Sequence, residues 1–205
     1  MSFIKSKYVN INKFCTDYIN NLSVVLSKIN EKKLYEICST IEKAIKRKST
    51  IYVCGNGGSA AISNHYVCDF LKYMRTDNNL TPKIISLSNS VELITAIGND
   101  ISFDEIFSYQ LNSLGNKKDI LITISSSGNS KNIINALKVA KKKGIISISF
   151  TGFKGGYSKK YASQNLHFNI HNYGLSEDSH HISMHIICQY IRQKYIRKNL
   201  TKIKF

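Results

Sequence analysis

Ile51-Tyr-Val-Cys-Gly-Asn-Gly-Gly-Ser59 is an apolar run that breaks into glycines and a serine where a helix should begin. The residues Ile51 to Cys54 have the composition of a buried strand, and they feed a turn at Gly55 to Gly58. Glycines there can take positive φ and bring backbone N–H groups close to an anion. Ser59 adds a hydroxyl at the positive end of the helix that follows. The second half of the chain repeats the arrangement. Asp119-Ile-Leu-Ile-Thr-Ile124 runs into Ser125-Ser-Ser-Gly-Asn-Ser130 and then into the helical spacing of Ile133, Ala136, Leu137 and Ala140. Neither turn has the G-x-G-x-x-G or G-x-x-x-x-G-K-[ST] spacing, so dinucleotide and P-loop chemistry are poor readings. Two such turns at the carboxyl ends of strands nevertheless mark the place where open α/β sheets bind ligands.

Outward from these turns the chain alternates strand and helix. Apolar residues at Ile11, Phe14, Cys15, Tyr18, Ile19, Leu22, Val25 and Leu26 predict an amphipathic helix over Tyr8 to Ile29. A second helix is predicted from Glu31 to Lys46, with a stripe of Leu34, Ile37, Cys38, Ile41 and Ala44 that needs a partner surface. Further helices are expected over Ala60–Met74, Val91–Ile97, Lys131–Lys142 and about Glu177–Ile196, with another helical pattern at Phe103, Ile106, Phe107 and Leu111. Strands are expected over Ile84–Leu87, Ile120–Ile124, Ile145–Thr151 and Asn165–Ile170. Near-continuous apolar strands between helices indicate a doubly wound parallel sheet covered on both faces. With one proline and no Gly/Ser-rich tract in 205 residues, the expected organisation is a helical segment, 1–48, attached to one α/β domain, 49–205.

Composition narrows the function classes. The five cysteines show no C-x-x-C spacing, which fits reduced, mostly buried thiols. No apolar run reaches membrane-spanning length and the N-terminus lacks a signal peptide's apolar core, so a cytoplasmic location and no membrane partner are expected. The net charge of +16 favours anionic ligands in general. Its lysines are scattered along helix faces without an aromatic platform or a helix-turn-helix pattern, so nucleic acid is not the expected partner.

A second constellation carries chemistry. His65 and Asp69 stand four apart on the helix after the first turn. Glu177, His181 and His185 repeat that spacing on the last helix, with Asp178 and His180 beside them. Residues four apart share a helix face. Histidines and carboxylates from two helices could hold a divalent metal, or could supply a general base and a general acid.

Cys54-Gly-Asn-Gly-Gly-Ser-Ala-Ala61, His65, Gly98-Asn-Asp100, Ile124-Ser-Ser-Ser-Gly-Asn-Ser130, Thr151-Gly-Phe-Lys-Gly-Gly156 and Met184-His185-Ile186 together resemble the sugar isomerase (SIS) domain proteins, and among them the phosphoheptose isomerases. The resemblance runs over essentially the whole chain. It implies a five-stranded doubly wound sheet of the flavodoxin-like type, and a homotetramer whose N-terminal helices pack between subunits. It also implies an aldose–ketose isomerase that converts sedoheptulose 7-phosphate into D-glycero-D-manno-heptose 7-phosphate for surface polysaccharides. In that pattern Ser125, Ser126, Ser127 and Ser130 hold the phosphate, and Asn56, Gly57, Ser59, Asn99 and Asp100 line the sugar. His65, Asp69, Glu177 and His185 would enclose a divalent metal, expected to be zinc, with Asp69 or Glu177 as base and His185 as acid. The chain departs from the family at Asp69, where the family has glutamate, at Glu177, where it has glutamine, and at Tyr73, where it has arginine; Lys72 is a candidate to replace that arginine. The alternative reading is a non-catalytic SIS module that binds phosphosugars or a protein partner, against which the retained His65, Asp69 and His185 argue.

Overall fold

A computed structural model describes Phe3 and residues 7–196. Two helices open the chain, α1 (Ile11–Leu26) and α2 (Glu31–Lys46). There follow β1 (Thr50–Gly55), α3 (Gly58–Cys68) continued by a π-helical turn over Asp69–Tyr73, β2 (Lys83–Ser86), and α4 (Val91–Asp100). A 3-10 turn at Phe103–Glu105 leads to α5 (Ser108–Leu114), β3 (Ile120–Ser125), α6 (Lys131–Lys143), β4 (Ile146–Thr151), α7 (Gly156–Tyr161), β5 (Gln164–His167) and α8 (Tyr173–Gln193).

All strand pairs are parallel and the order is β2-β1-β3-β4-β5. The expected five-stranded doubly wound sheet is therefore present. Register follows the apolar runs: Val53 lies beside Ile122, and Ile122 beside Ile148. Alternate residues of each strand enter different cores, as a pleated strand requires. Ile51, Val53, Ile120, Ile122 and Ile124 face a core completed by α2, α3 and α8. Tyr52, Cys54 and Leu121 face a second core closed by Ile97 of α4, Leu111 of α5, and Ile133, Ala136, Leu137 and Ala140 of α6. Both faces being covered explains why the central strands β1 and β3 are buried along nearly their whole length.

The order also places the ligand site. Strand order reverses between β1 and β3, and the crevice outside the carboxyl ends of two such strands is where this topology binds ligands. The turns at residues 55–58 and 125–130 are the two that flank it.

The stripe of α2 finds its partner within the chain: Ile37, Cys38, Ile41, Ala44 and Ile45 are all buried in the first core. Helix α1 behaves differently. It buries only Val25, rests Phe14, Tyr18, Leu22 and Leu26 against the core, and leaves Ile11, Ile19 and Val24 exposed.

Several boundaries differ from the sequence expectations. Helix α1 starts at Ile11 because Asn10 caps it, its side chain accepting from the N–H groups of Asn12 and Lys13. Helix α4 runs past its expected end at Ile97, with Asn99 and Asp100 in its last turn. The expected strand to Ile170 ends at His167, although Phe168 still donates its N–H to the Thr151 carbonyl. Helix α7 was not anticipated, nor was the π turn, in which the Met74 N–H bonds the Asp69 carbonyl at 2.7 Å. Such one-turn widenings are concentrated at functional sites. The basic C-terminal tail, 197–205, lies outside the described residues.

Candidate active site

The first turn ends at Gly57, whose φ of 53° at the N-cap of α3 suits glycine. Gly58 is required for a different reason. A Cβ there would collide with the carboxylate of Glu177, which packs directly against the first residue of α3. A carboxylate in that position faces the positive end of the helix.

The second turn is built from its own serines. The Ser125 hydroxyl accepts from the Gly128 N–H at 3.1 Å, and the Ser127 hydroxyl accepts from the Asn129 N–H at 3.2 Å. Ser130 is the N-cap of α6, yet its side chain makes no capping bond. The hydroxyl of Ser126 is shielded from solvent and has no hydrogen-bond partner. Buried polar atoms are ordinarily satisfied, so an orphaned hydroxyl here points to a ligand that supplies the missing partner.

The two turns are tied together by Asn56 and Asn132. Their carboxamides exchange a reciprocal pair of hydrogen bonds at 3.0 and 3.1 Å. Asn132 is buried and also accepts from the Ile133 N–H at 2.9 Å. A small pocket results, lined by Asn56, Ser59, Ile124, Ser125, Ser126, Ser127, Ser130, Tyr173 and Glu177. The structure thus brings together all four phosphate candidates and two of the sugar candidates. Gly57 belongs to the same turn. Asn99 and Asp100 are exposed at the end of α4, bonded to each other at 2.8 Å, and are not among the lining residues.

Glu177 occupies one wall of this pocket. Burial raises its carboxyl pKa, and neighbouring Asp178 adds to the rise. Asp178 in turn accepts a 2.6 Å hydrogen bond from the Tyr18 hydroxyl, which joins α1 to the second turn of α8.

Two turns further along α8 lies the second cluster. The Nε2 atoms of His65 and His185 are 3.2 Å apart. Asp69 sits between them, with Oδ1 3.4 Å from His65 and Oδ2 3.3 Å from His185. The π turn begins at Asp69, so the change in backbone register occurs at the residue that faces both imidazoles. Ligand atoms of His65, His181 and His185 lie within 4.8 Å of one another. The His181 ring is edge-on to His65 and tilted against His185. Its pKa is lowered, by burial first and then by His185 and His65. His180, one residue away, turns instead into the core near Phe150 and Phe168, where burial takes its pKa down to about 4.

The donor set fits a divalent cation. Imidazole nitrogens and a carboxylate are the usual ligands of zinc, and the edge of a tetrahedron with bonds of ~2.0–2.1 Å is about 3.3–3.4 Å. The 3.2 Å between the Nε2 atoms of His65 and His185 is close to that edge, and each imidazole has a different Asp69 oxygen beside it, at 3.4 and 3.3 Å. Glu177, which the resemblance would add to this cluster, has its carboxylate on the wall of the serine pocket. A wider hollow bordered by Asp69, Tyr73, His185 and Gln189 opens beside the cluster. Tyr73, standing where the family has arginine, is covered by the buried guanidinium of Arg192 at 4.3 Å from the ring centre. Lys72 is exposed.

Comparison with known proteins identifies the family and agrees with the fold. The SIS domain family model matches residues 17–152. The probable phosphoheptose isomerase of Thermoplasma acidophilum is 35% identical over 167 residues, covering 82% of this chain and 91% of that protein. The phosphoheptose isomerase of Aneurinibacillus thermoaerophilus is 33% identical over 199 residues, covering 92% and 99%. The solved structure of phosphoheptose isomerase GmhA from Neisseria gonorrhoeae superposes with a TM-score of 0.82 at 26% identity, covering 90% of this chain and all of that one. The chain therefore belongs to the SIS domain family and, within it, to the phosphoheptose isomerases.

Proposed function

We propose that the enzyme interconverts sedoheptulose 7-phosphate and D-glycero-D-manno-heptose 7-phosphate, a precursor of surface polysaccharide. One observation carries the reading: serine hydroxyls, one of them without a partner, and a carboxylate share a pocket, and the His65–Asp69–His185 cluster lies about two turns along α8 from its Glu177 wall. From Glu177 to His185 the helix rises about 12 Å. That separation suits a sugar whose reacting carbons lie far from its phosphate.

In this reading Ser125, Ser126, Ser127 and Ser130 bind the phosphate, helped by the N-terminus of α6. Asn56, held by Asn132, and Ser59 orient the sugar hydroxyls, while Gly57 lets the turn approach them. Asn99 and Asp100 face solvent in one chain, and their place in the sugar site depends on assembly. Glu177 is the base: no hydrogen bond or ion pair occupies its carboxylate among the described residues, and it faces the ligand pocket. It moves a proton between adjacent carbons of the substrate. Asp69 is held between the two imidazoles and serves the cation, and His185 presents its ring at the carbonyl. Zinc bound by this cluster would polarise the carbonyl oxygen.

The exposed apolar residues of α1, Ile11, Ile19 and Val24, support a homotetramer in which this helix packs between subunits. Among the described residues no helix is long and apolar enough to cross a membrane, and we place the enzyme in the cytoplasm. The test is incubation with sedoheptulose 7-phosphate, with chelator or with added zinc, followed by NMR. Aldose formation that chelator abolishes and zinc restores is expected; phosphosugar binding without turnover would favour the non-catalytic module.

A further inference from the structure

The resemblance to the family puts the fourth metal ligand at position 177. The geometry points to His181 as the residue that takes this place in the present chain, leaving Glu177 outside the cation's shell. The inference rests on the proposed cation at the histidine cluster and concerns which side chains hold it.

Three independent observations support it. First, His65, His181 and His185 converge from two helices with their ligand atoms within 4.8 Å of one another, a group that includes neither Asp69 nor Glu177; Asp69 reaches His65 and His185 through its own contacts at 3.4 and 3.3 Å. Second, Nε2 of His181 is shielded from solvent and has no hydrogen-bond partner. A buried imidazole nitrogen without a partner is costly unless something outside the protein completes it. Third, the Glu177 carboxylate is already placed elsewhere, against the Cα of Gly58 and on the wall of the serine pocket. Because residues 177, 181 and 185 lie on one face of α8, the exchange of roles needs no change in the backbone. A histidine one turn nearer to His185 replaces the reach of the residue at 177. The carboxylate released at 177 is then free to act on the substrate.

The test uses the full chain stripped of metal and titrated with cobalt(II), whose visible absorption reports ligand type and geometry without any substrate present. Wild type should bind one cobalt per chain with the intense bands of a tetrahedral site. His181→Ala should weaken the affinity by at least about tenfold and alter the bands, since even residues that only support metal ligands change affinity by 10–100-fold. His181→Asn, closer in size and polarity, carries the comparison if the alanine variant does not fold. Glu177→Ala, which leaves no ligand atom at 177, should bind within about twofold of wild type with an unchanged spectrum. The inference is overturned if the His181 variants titrate like wild type, if Glu177→Ala loses affinity comparably, or if wild type binds no cobalt. Turnover of sedoheptulose 7-phosphate is scored separately: turnover without cobalt binding would remove this inference and leave the isomerase, and cobalt binding without turnover would do the reverse.

Discussion

The carboxylate of Glu177 lies against the Cα of Gly58, so that the last helix of the chain delivers its acid to the first residue of the helix after β1. Gly58→Ala should therefore act on the acid rather than on the fold. Alanine favours the helix, but its methyl would push the carboxylate aside. A displacement near 1 Å at a reacting group costs about a hundredfold in rate. We expect kcat to fall by about that factor with the thermal midpoint unchanged or slightly raised, measured by steady-state kinetics and calorimetry on one preparation.

Ser126 offers a complementary case. Its hydroxyl has no partner in the protein, so Ser126→Ala should change stability by less than about 0.5 kcal/mol. A hydrogen bond to a charged phosphate is worth roughly 1.5–3 kcal/mol. The substrate KM should rise at least about tenfold, and inorganic phosphate should inhibit the variant less than wild type.

Asn132 touches no ligand in the pocket wall, and its effect should be indirect. Removing it leaves the Asn56 carboxamide without both of its bonds to α6. Asn132→Ala should lower kcat/KM by about tenfold, equivalent to ~1.4 kcal/mol. Asn132→Asp, which can still accept from Asn56, should recover part of the loss when the two variants are compared side by side.

Far from the site, Glu42 on α2 joins the end of α8. It accepts from Lys194 at 2.6 Å and from the Tyr195 hydroxyl, and pairs with Lys46 at 3.2 Å. Burial alone would raise its pKa, but the hydrogen bonds from Lys194, Tyr195 and Lys46 outweigh that and hold it at about 2. A carboxyl whose pKa is depressed on folding stabilises the protein above its ordinary value of ~4.3, and the stabilisation is lost as pH falls toward the folded value. Glu42→Gln should cost roughly 1–2 kcal/mol at pH 7 in urea unfolding. The gap from wild type should close between about pH 4.5 and pH 2.

Much of the fold was legible because two patterns are strong here. Ile51–Cys54, Ile120–Ile124 and Ile145–Phe150 are largely apolar runs broken only by Thr123, Ser147 and Ser149, the pattern of a sheet covered on both faces. The amphipathic stripes of α2 and α6 fixed those helices to within a residue. Helix α7 escaped because Gly156-Tyr-Ser-Lys-Lys-Tyr161 has no apolar stripe. The π turn at Asp69 escaped because one extra residue in a helical turn scarcely alters side-chain spacing. Within the site, the serine turn and the His65–Asp69 and His181–His185 spacings could be read directly. Spacing on α8 could not say which of Glu177 and His181 meets His65, since both lie on the same face; that depends on how α3 crosses α8. Asn132 gave no signal, being an asparagine in an ordinary first turn of helix until its partner across the sheet is known.

The central claim, proton transfer by a carboxylate at a phosphosugar carbonyl, is tested most directly in D2O. Purified enzyme is incubated with sedoheptulose 7-phosphate, and carbon 2 of the aldose is followed by NMR in wild type and Glu177→Gln. The account predicts aldose carrying solvent deuterium at carbon 2, with formation reduced at least about a hundredfold in the variant, the loss associated with removing a general base. Aldose formed at an equal rate by both proteins, or no aldose from the wild type with zinc supplied, would contradict it.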